Sequence, residues 1–174
     1  AIANGTAKNS SIHRYGTEMT AQRQRAKAAR KGAGSDDARL DAYRNVVEQF
    51  GVTSFVGYSD DECEARVLAV LPGADDDTVE IFLDQTPFYA ESGGQVGDTG
   101  TIVTDHGRAT VVDTTFALPG LRRHVARIDS GEITAGALAT ATIDRARRAA
   151  IRRNHTATHV LHHALRKVLG EHVK

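Results

Sequence analysis

Seven short β-rich runs between residues 52 and 144 limit the folds open to this chain more than any other feature. Each run is rich in β-branched and apolar residues, and turn residues separate it from the next. The runs cover residues 53–58, 64–71, 78–84, 101–104, 109–116, 122–128 and 137–144. Short runs joined by loops are typical of an antiparallel barrel or sandwich. We therefore predict that residues 52–144 form a closed or nearly closed antiparallel β-barrel.

Helical patterns flank these runs on both sides. Residues 17–31 are rich in helix-forming side chains, and residues 32–34 interrupt them. Ser35 is a good N-cap for a second helix that Gly51 ends. Its apolar residues recur at helical spacing; they are Leu40, Tyr43, Val46, Val47 and Phe50. A further helix is predicted over residues 145–169, so the fold class is α+β with helices before and after the barrel.

The composition suits a globular protein of this kind. About 40% of the 174 residues are hydrophobic and tryptophan is absent, so we expect a core of Val, Leu, Ile and Ala. No run of 18 apolar residues and no basic-then-apolar leader is present, which predicts neither a membrane span nor a signal peptide. A single cysteine, Cys63, cannot form an internal disulfide. A reducing cytoplasmic location is the expectation.

Charge is divided unevenly along the chain although the net charge is zero. Residues 1–51 and 119–174 hold more Lys and Arg than Asp and Glu, whereas residues 52–118 are strongly acidic. Two basic ends can indicate an anionic partner such as nucleic acid, and a solvated surface of mixed sign is the alternative.

The last helix carries the segment Asn154-His155-Thr156-Ala157-Thr158-His159. His155 and His159 are four residues apart, so both imidazoles leave the same side of the helix, a spacing that suits two ligands of one zinc ion. A zinc site needs three or four protein ligands, so this one is incomplete, although His162 is a possible third. A polar helix face that happens to hold histidines is the alternative.

Basic residues extend this histidine face toward the start of the helix. Arg145, Arg148 and Arg152 lie along it, and residues 145–167 contain no acidic side chain. Such a track can bind phosphates and place the end of a nucleic acid at the histidines. A solvated helix face is again the alternative.

The segment 85–100 is too long for a hairpin turn, and loops of this length are usually functional. Its second half is rich in glycine, which permits close approach of a ligand to the backbone. Gln95, after Gly93 and Gly94, can offer its amide to such a ligand. A glycine-rich β-turn with a polar tip is the alternative. We predict that Gln95 and His155 line one cleft, with Thr86 near its floor.

Together, TPFYAESGGQVGDTG and the later RRNHTATHVLHHALRKVLGEHV resemble the alanyl-tRNA synthetase family. The similarity extends through GYSDDECEARVLAVL and back to EMTAQRQRAKAARK. It implies that residues 1–51 end a tRNA-recognition region. It further implies that residues 52–144 form a barrel like those of translation factors, and that residues 145–174 begin an α/β editing core.

The resemblance also implies an activity. Enzymes of this family attach alanine to tRNA-Ala with ATP and magnesium, in a catalytic domain outside this chain, and their editing core hydrolyses Ser-tRNA-Ala and Gly-tRNA-Ala. Editing is needed because an alanine pocket cannot exclude glycine and rejects an added hydroxyl only weakly. The resemblance assigns His155 and His159 to zinc, whose other two ligands would lie beyond Lys174. Gln95 and Thr86 are the predicted catalytic residues, and Arg145, Arg148, Arg152, Gly93 and Gly94 the predicted tRNA-binding residues.

Three other functions fit parts of the pattern. A free-standing editing hydrolase would share the barrel and the histidines, but the helices over residues 17–50 favour the synthetase. A non-catalytic tRNA-binding module fits this chain because half of the zinc ligands are absent from it. A release-factor-like domain is suggested by Gly93-Gly94-Gln95, and the HxxxH helix argues against it. The sequence does not give an oligomeric state.

Overall fold

The predicted barrel is present, and six strands close it. A computed structural model describes residues 37–170. The strands are β1 (Ser54–Phe55), β2 (Glu62–Pro72), β3 (Val79–Leu83), β4 (Gln85–Thr86), β5 (Gly100–Thr104), β6 (Gly107–Leu118), β7 (Leu121–Gly131) and β8 (Leu138–Ile143). The barrel follows the order β2-β3-β7-β6-β5-β8, and every neighbouring pair in it is antiparallel.

The first of the seven predicted runs lies outside the barrel. Only β1 forms there, and it pairs in parallel with β4. The chain leaves β3 at Asp84, whose Oδ1 accepts the backbone N–H groups of Arg66 and Gln85. The Asp84 carboxylate thus ends the backbone pairing between β2 and β3, and the residues that follow it pair with β1 instead. The prediction of seven barrel strands is therefore wrong by one strand.

Small and branched side chains fill the barrel, as the composition predicts. The fully buried residues include Val67, Ile81, Leu83, Ile102 and Val111, with several alanines between them. Alanine suits a barrel of six strands, because the interior of a small barrel is filled by the side chains themselves. Phe88, from the segment after β4, is the one aromatic side chain of this cluster.

Helix α1 covers residues 37–50 of the described part, and its residues from Tyr43 onward pack on the outside of the barrel. Tyr43 and Val46 are buried against Leu68, Phe82 and Leu121. Because side chains alternate along a strand, Phe82 faces this helix while its neighbours in β3 face the interior. The helix ends at Gly51, which has a φ of 81° and whose N–H donates to the carbonyl of Val47.

Phe50 departs from the buried face that the spacing predicts for it on α1. Its side chain is half exposed, because it lies in the last turn of the helix, beyond the contacts that bury Tyr43 and Val46. The predicted helix over residues 17–31 and the Ser35 cap lie outside the described residues. Residues 43–170 form one compact unit.

A buried carboxylate connects α1 to the barrel. Tyr43 donates its hydroxyl to Glu80 Oε2 at 2.6 Å, and Arg123 Nη1 lies 3.3 Å from Glu80 Oε1. Burial and the neighbouring carboxylate raise the pKa of Tyr43, so its hydroxyl is a donor at neutral pH.

We expect Tyr43→Phe to lower the free energy of unfolding by about 1.5 kcal/mol, the low end for a hydrogen bond to a charged group, because Arg123 still contacts Glu80. Urea unfolding of the two proteins measures this difference. Tyr58→Phe is the control, since the Tyr58 ring is 92% exposed. Equal losses in the two variants would show that the bond to Glu80 contributes nothing to stability.

Helix α2 (Arg145–Leu169) has the bounds that the sequence predicts. Asp144 caps it by accepting the N–H of Arg147, and Gly170 follows its last turn. Its apolar residues Val160, Leu161 and Val168 are exposed within the part of the chain that the structure describes. Neither α1 nor α2, over residues 37–170, combines the length and apolar character needed to cross a bilayer.

Candidate functional site

The glycine-rich segment between β4 and β5 has a defined tip. Ser92 and Gln95 exchange backbone hydrogen bonds of 3.2 and 3.0 Å around Gly93 and Gly94, which have φ values of 59° and 78°. Two central residues with positive φ make a tight turn of the kind that favours glycine at both positions. A Cβ added at either glycine would meet no atom within 4 Å, so the tip is open to a ligand.

Asp98 organises the base of this segment. Its N–H donates to the carbonyl of Tyr89, and its Oδ2 accepts the N–H of Tyr89 at 2.7 Å. The hydroxyl of Thr114 on β6 donates to the carbonyl of Asp98. Asp98 is 1% exposed, so these bonds form in a dry environment and hold the segment against the barrel.

Arg148 of α2 is bound to the same carboxylate. Its Nε lies 2.9 and 2.8 Å from the two carboxylate oxygens of Asp98, and Nη2 also donates to Oδ2. The remaining donors reach the carbonyls of Gly57 and Pro87 at 3.0 and 2.8 Å. This buried pair therefore fixes the start of α2 to the glycine-rich segment.

The other predicted phosphate-binding arginines lie at the surface. Arg145 Nε is 3.1 Å from Asp61 Oδ2, in an exposed ion pair. Arg152 is exposed one turn beyond Arg148. Because Arg148 has most of its donors inside the protein, Arg145 and Arg152 are the more accessible members of the predicted track. A contact of any of the three with tRNA stays a prediction.

The two predicted zinc ligands face each other on adjacent turns. His155 Nε2 lies 3.1 Å from His159 Nε2, and the ring centroids are 4.6 Å apart. Two nitrogens bound to one tetrahedral zinc at 2.0–2.1 Å lie about 3.3 Å apart. The pair therefore fits two positions of a zinc site. Within residues 37–170 no three His, Cys, Asp or Glu side chains converge on a metal position, so His162 does not complete it.

Cys63 is also unsuited to such a site. It is half buried against the barrel interior. Burial and the nearby carboxylates of Asp84, Asp60 and Glu62 raise the pKa of its thiol to about 11. A thiol that stays protonated at neutral pH is a poor metal ligand and a poor nucleophile.

The glycine-rich tip and the histidine face line one pocket of about 390 Å³. The tip contributes Gly93, Gly94, Gln95 and Val96, and α2 contributes Ile151, Asn154, His155, Thr158 and His159. The prediction that Gln95 and His155 line one cleft is confirmed. We name this cavity the main pocket.

Thr86 does not line the main pocket, contrary to the prediction that it lies near its floor. It is fully buried, and its Oγ1 lies 2.8 Å from His124 Nε2. His124 Nδ1 is 2.9 Å from the carbonyl of Ile81, which can only accept, so Nδ1 carries the proton. Nε2 is then an acceptor for the Thr86 hydroxyl, whose oxygen accepts the N–H of Phe88. The catalytic role of Thr86 stays a prediction.

His124 was missed in the sequence, and burial makes it unusual. It is fully enclosed, and desolvation lowers the pKa of its imidazole to about 4, against the opposing effect of the bond to Ile81. The imidazole is therefore neutral at physiological pH, as its role as acceptor requires. The sequence gives one indication of this burial: His124 lies two residues before Ala126, so both side chains point to the same face of a predicted strand.

A family model and several related proteins both relate this chain to tRNA synthetases. A family model described as tRNA synthetases class II (A) matches residues 2–147. Similar proteins include the alanine–tRNA ligase of Cereibacter sphaeroides, which is 46% identical in an alignment of length 166 that covers 91% of this chain and 19% of that protein. Those of Rhizobium meliloti and Shouchella clausii are 44% and 45% identical, over 87% and 91% of this chain and 18% and 19% of theirs. The chain spans about a fifth of the length of these relatives.

Proposed function

This chain belongs to the class II alanyl-tRNA synthetases, and we propose that its main pocket is one side of a site that hydrolyses Ser-tRNA-Ala and Gly-tRNA-Ala. The parent enzyme, on this proposal, charges tRNA-Ala with alanine at the expense of ATP. That reaction would take place in a domain outside this chain. The barrel and α2 would serve to remove wrongly attached amino acids.

The meeting of two distant segments in the main pocket carries this proposal. Gln95 and His155 are separated in sequence by four barrel strands, and the Asp98–Arg148 pair brings their elements together. One face of the pocket offers hydrogen-bond donors from an open turn, and the other offers two imidazoles at a spacing suited to zinc. An ester can lie between them.

Each group has a definite part in this proposal. The Gln95 amide would donate to the aminoacyl group and orient it, while Gly93 and Gly94 let the substrate approach the backbone. His155 and His159 would hold zinc together with ligands from elsewhere in the parent protein. Bound zinc would supply a Lewis acid that can acidify water or polarise a carbonyl.

Hydrolysis of purified Ser-tRNA-Ala by the parent enzyme tests the proposal. We expect His155→Ala and Gln95→Ala to slow release of serine by about 100-fold or more, the usual effect of removing a group that acts on the reacting ester. His163→Ala is the matched control, because His163 is on α2 and does not line the main pocket. Unchanged hydrolysis in both pocket variants would favour a non-catalytic tRNA-binding role.

We also expect the 174-residue chain alone to bind zinc weakly, because His155 and His159 provide two ligands of a tetrahedral set. Metal analysis after gel filtration should give well under one zinc per chain, and serine should not be released from Ser-tRNA-Ala. The parent enzyme should hold zinc firmly and release serine. Stoichiometric zinc and full hydrolysis in the isolated chain would contradict this ligand set.

A further inference from the structure

A second pocket lies beside the main pocket and shares Gln95 with it. Its volume is about 180 Å³, and its other lining residues are Phe55, Gly57, Tyr58, Tyr89, Arg148 and Arg152. Sites for whole drug-sized ligands span roughly 300–1,000 Å³, so this pocket has room for one ring system. We name it the aromatic notch.

Three aromatic rings from two segments of the chain form the walls of the notch. The centroid of Phe55 lies 4.9 Å from that of Tyr58 and 6.3 Å from that of Tyr89, both in edge-on geometry. The guanidinium of Arg122 covers a face of Phe55 at 4.5 Å. Tyr58 is 92% exposed, which is unusual for a ring packed within a cluster and leaves its face open for stacking.

The notch is fixed in shape by the contacts beneath it. A Cβ added at Gly57 would lie 2.1 Å from the carbonyl oxygen of Pro87, so no side chain fits between these two segments. Arg148 donates to both the Gly57 and the Pro87 carbonyls. Tyr89 donates its hydroxyl to the carbonyl of Ser92. The backbone at Gly57 and the Tyr89 ring are therefore held in place before any ligand arrives, which lowers the entropic cost of binding.

Arg152 gives the notch a positive edge. Arg148 is neutralised by Asp98, whereas Arg152 is exposed and has no acidic partner among the described residues. A ligand with an aromatic ring and a nearby negative charge matches this combination of groups.

We propose that the aromatic notch binds the base of the terminal nucleotide of the tRNA. The placement of the ester in the main pocket rests on the proposed function. In an aminoacylated nucleotide, one ribose carries both the base and the ester, so the two groups lie close together. The aromatic notch and the main pocket are likewise neighbours, since Gln95 lines both. Aromatic side chains commonly stack on unpaired bases of RNA, and Arg152 would meet the phosphate.

Binding of adenosine 5′-monophosphate to the 174-residue chain tests the notch without zinc or ester. We expect it to bind about 5- to 150-fold more tightly than ribose 5-phosphate, the range of base–aromatic stacking. The ring signals of Tyr58 and Tyr89 in NMR spectra should shift with the nucleotide. Equal affinity for the two probes, or shifts confined to other tyrosines, would overturn the proposal.

Substitutions at Tyr58 distinguish stacking of the base on an aromatic ring from its contact with any apolar side chain. Tyr58→Ala and Tyr58→Leu should both remove the preference for adenosine 5′-monophosphate over ribose 5-phosphate, while Tyr58→Phe should keep it. Arg152→Gln should weaken both probes alike, since it acts on the phosphate. Retention of the preference in Tyr58→Ala would overturn the proposal. Retention in Tyr58→Leu alone would do so too, because leucine has no π face.

Hydrolysis by the parent enzyme distinguishes the notch from the proposed function. Tyr58→Ala should raise KM for Ser-tRNA-Ala about 5- to 150-fold and leave hydrolysis of a seryl ester of ribose 5-phosphate unchanged. If the unaltered enzyme hydrolyses neither ester, the proposed function fails, and nucleotide binding still decides the notch. If the unaltered enzyme hydrolyses both esters and Tyr58→Ala changes the hydrolysis of neither, base binding in the notch is overturned and the proposed function stands.

Discussion

Replacing Asp98 with alanine should lower the free energy of unfolding by about 3–5 kcal/mol. Asp98 and Arg148 are 1% and 8% exposed, and three charge-assisted hydrogen bonds join them, two from Nε at 2.9 and 2.8 Å and one from Nη2. Without the carboxylate, the guanidinium would remain buried with only carbonyl oxygens as partners. Urea unfolding followed by circular dichroism measures the loss.

An exposed ion pair in the same molecule is the control for this effect. Arg127 Nε lies 2.9 Å from Asp77 Oδ2, and both side chains are more than half exposed. Asp77→Ala should cost less than about 1 kcal/mol, because water replaces the lost partner. The double variant Asp98→Leu with Arg148→Met should be more stable than Asp98→Ala, since no buried charge remains. Similar losses for Asp98→Ala and Asp77→Ala would show that water reaches the buried pair.

Lowering the pH from about 6.5 to 4 should destabilise the barrel by about 3 kcal/mol through His124 alone. Burial lowers the pKa of His124 to about 4 in the folded protein, against about 6.5 for a free imidazole. Between these values the unfolded chain binds a proton that the folded chain does not. The contribution of His124 to the free energy of unfolding is therefore present above about pH 6.5 and is lost as the pH falls toward 4.

The slope of stability against pH isolates this histidine from the carboxylates that titrate nearby. His124→Gln keeps a polar side chain but has no imidazole, so its stability should change less over this pH range than that of the unaltered protein. His106→Gln should keep the full slope, because His106 is exposed. Parallel slopes for all three proteins in urea unfolding would show that His124 is protonated without cost in the folded state.

The sequence was sufficient for elements whose signals are local. Helix α2 has the predicted bounds because Asp144 caps it and Gly170 follows it, and both signals lie next to the helix. The barrel was recognised because β-branched and apolar residues recur in each run and turn residues separate the runs. The position of β1 was not predicted. A strand of two residues is too short for its sequence to show whether it pairs with the barrel or with β4.

The main pocket was predictable only in part. Gln95 and His155 were found because each lies in a segment of unusual composition, and the structure places both in one pocket. The Asp98–Arg148 pair, which brings these segments together, joins residues far apart in sequence, and nothing local marks either as a partner of the other. The hydroxyl of Thr86 is directed to His124 and not to the pocket floor, a contact that depends on the strand order of the barrel.

Closure of the barrel by β2 and β8 affects the order in which the chain can fold. These strands pair through Cys63 and Ala141, so nearly the whole barrel must be synthesised before its first strand finds its last neighbour. Topologies dominated by such distant pairings fold slowly, typically in milliseconds to seconds, because the entropy of loop closure is lost before the contacts form. Arg148 emerges from the ribosome later still, so Asp98 must wait for its partner. We therefore expect the main pocket to form only after the barrel has closed.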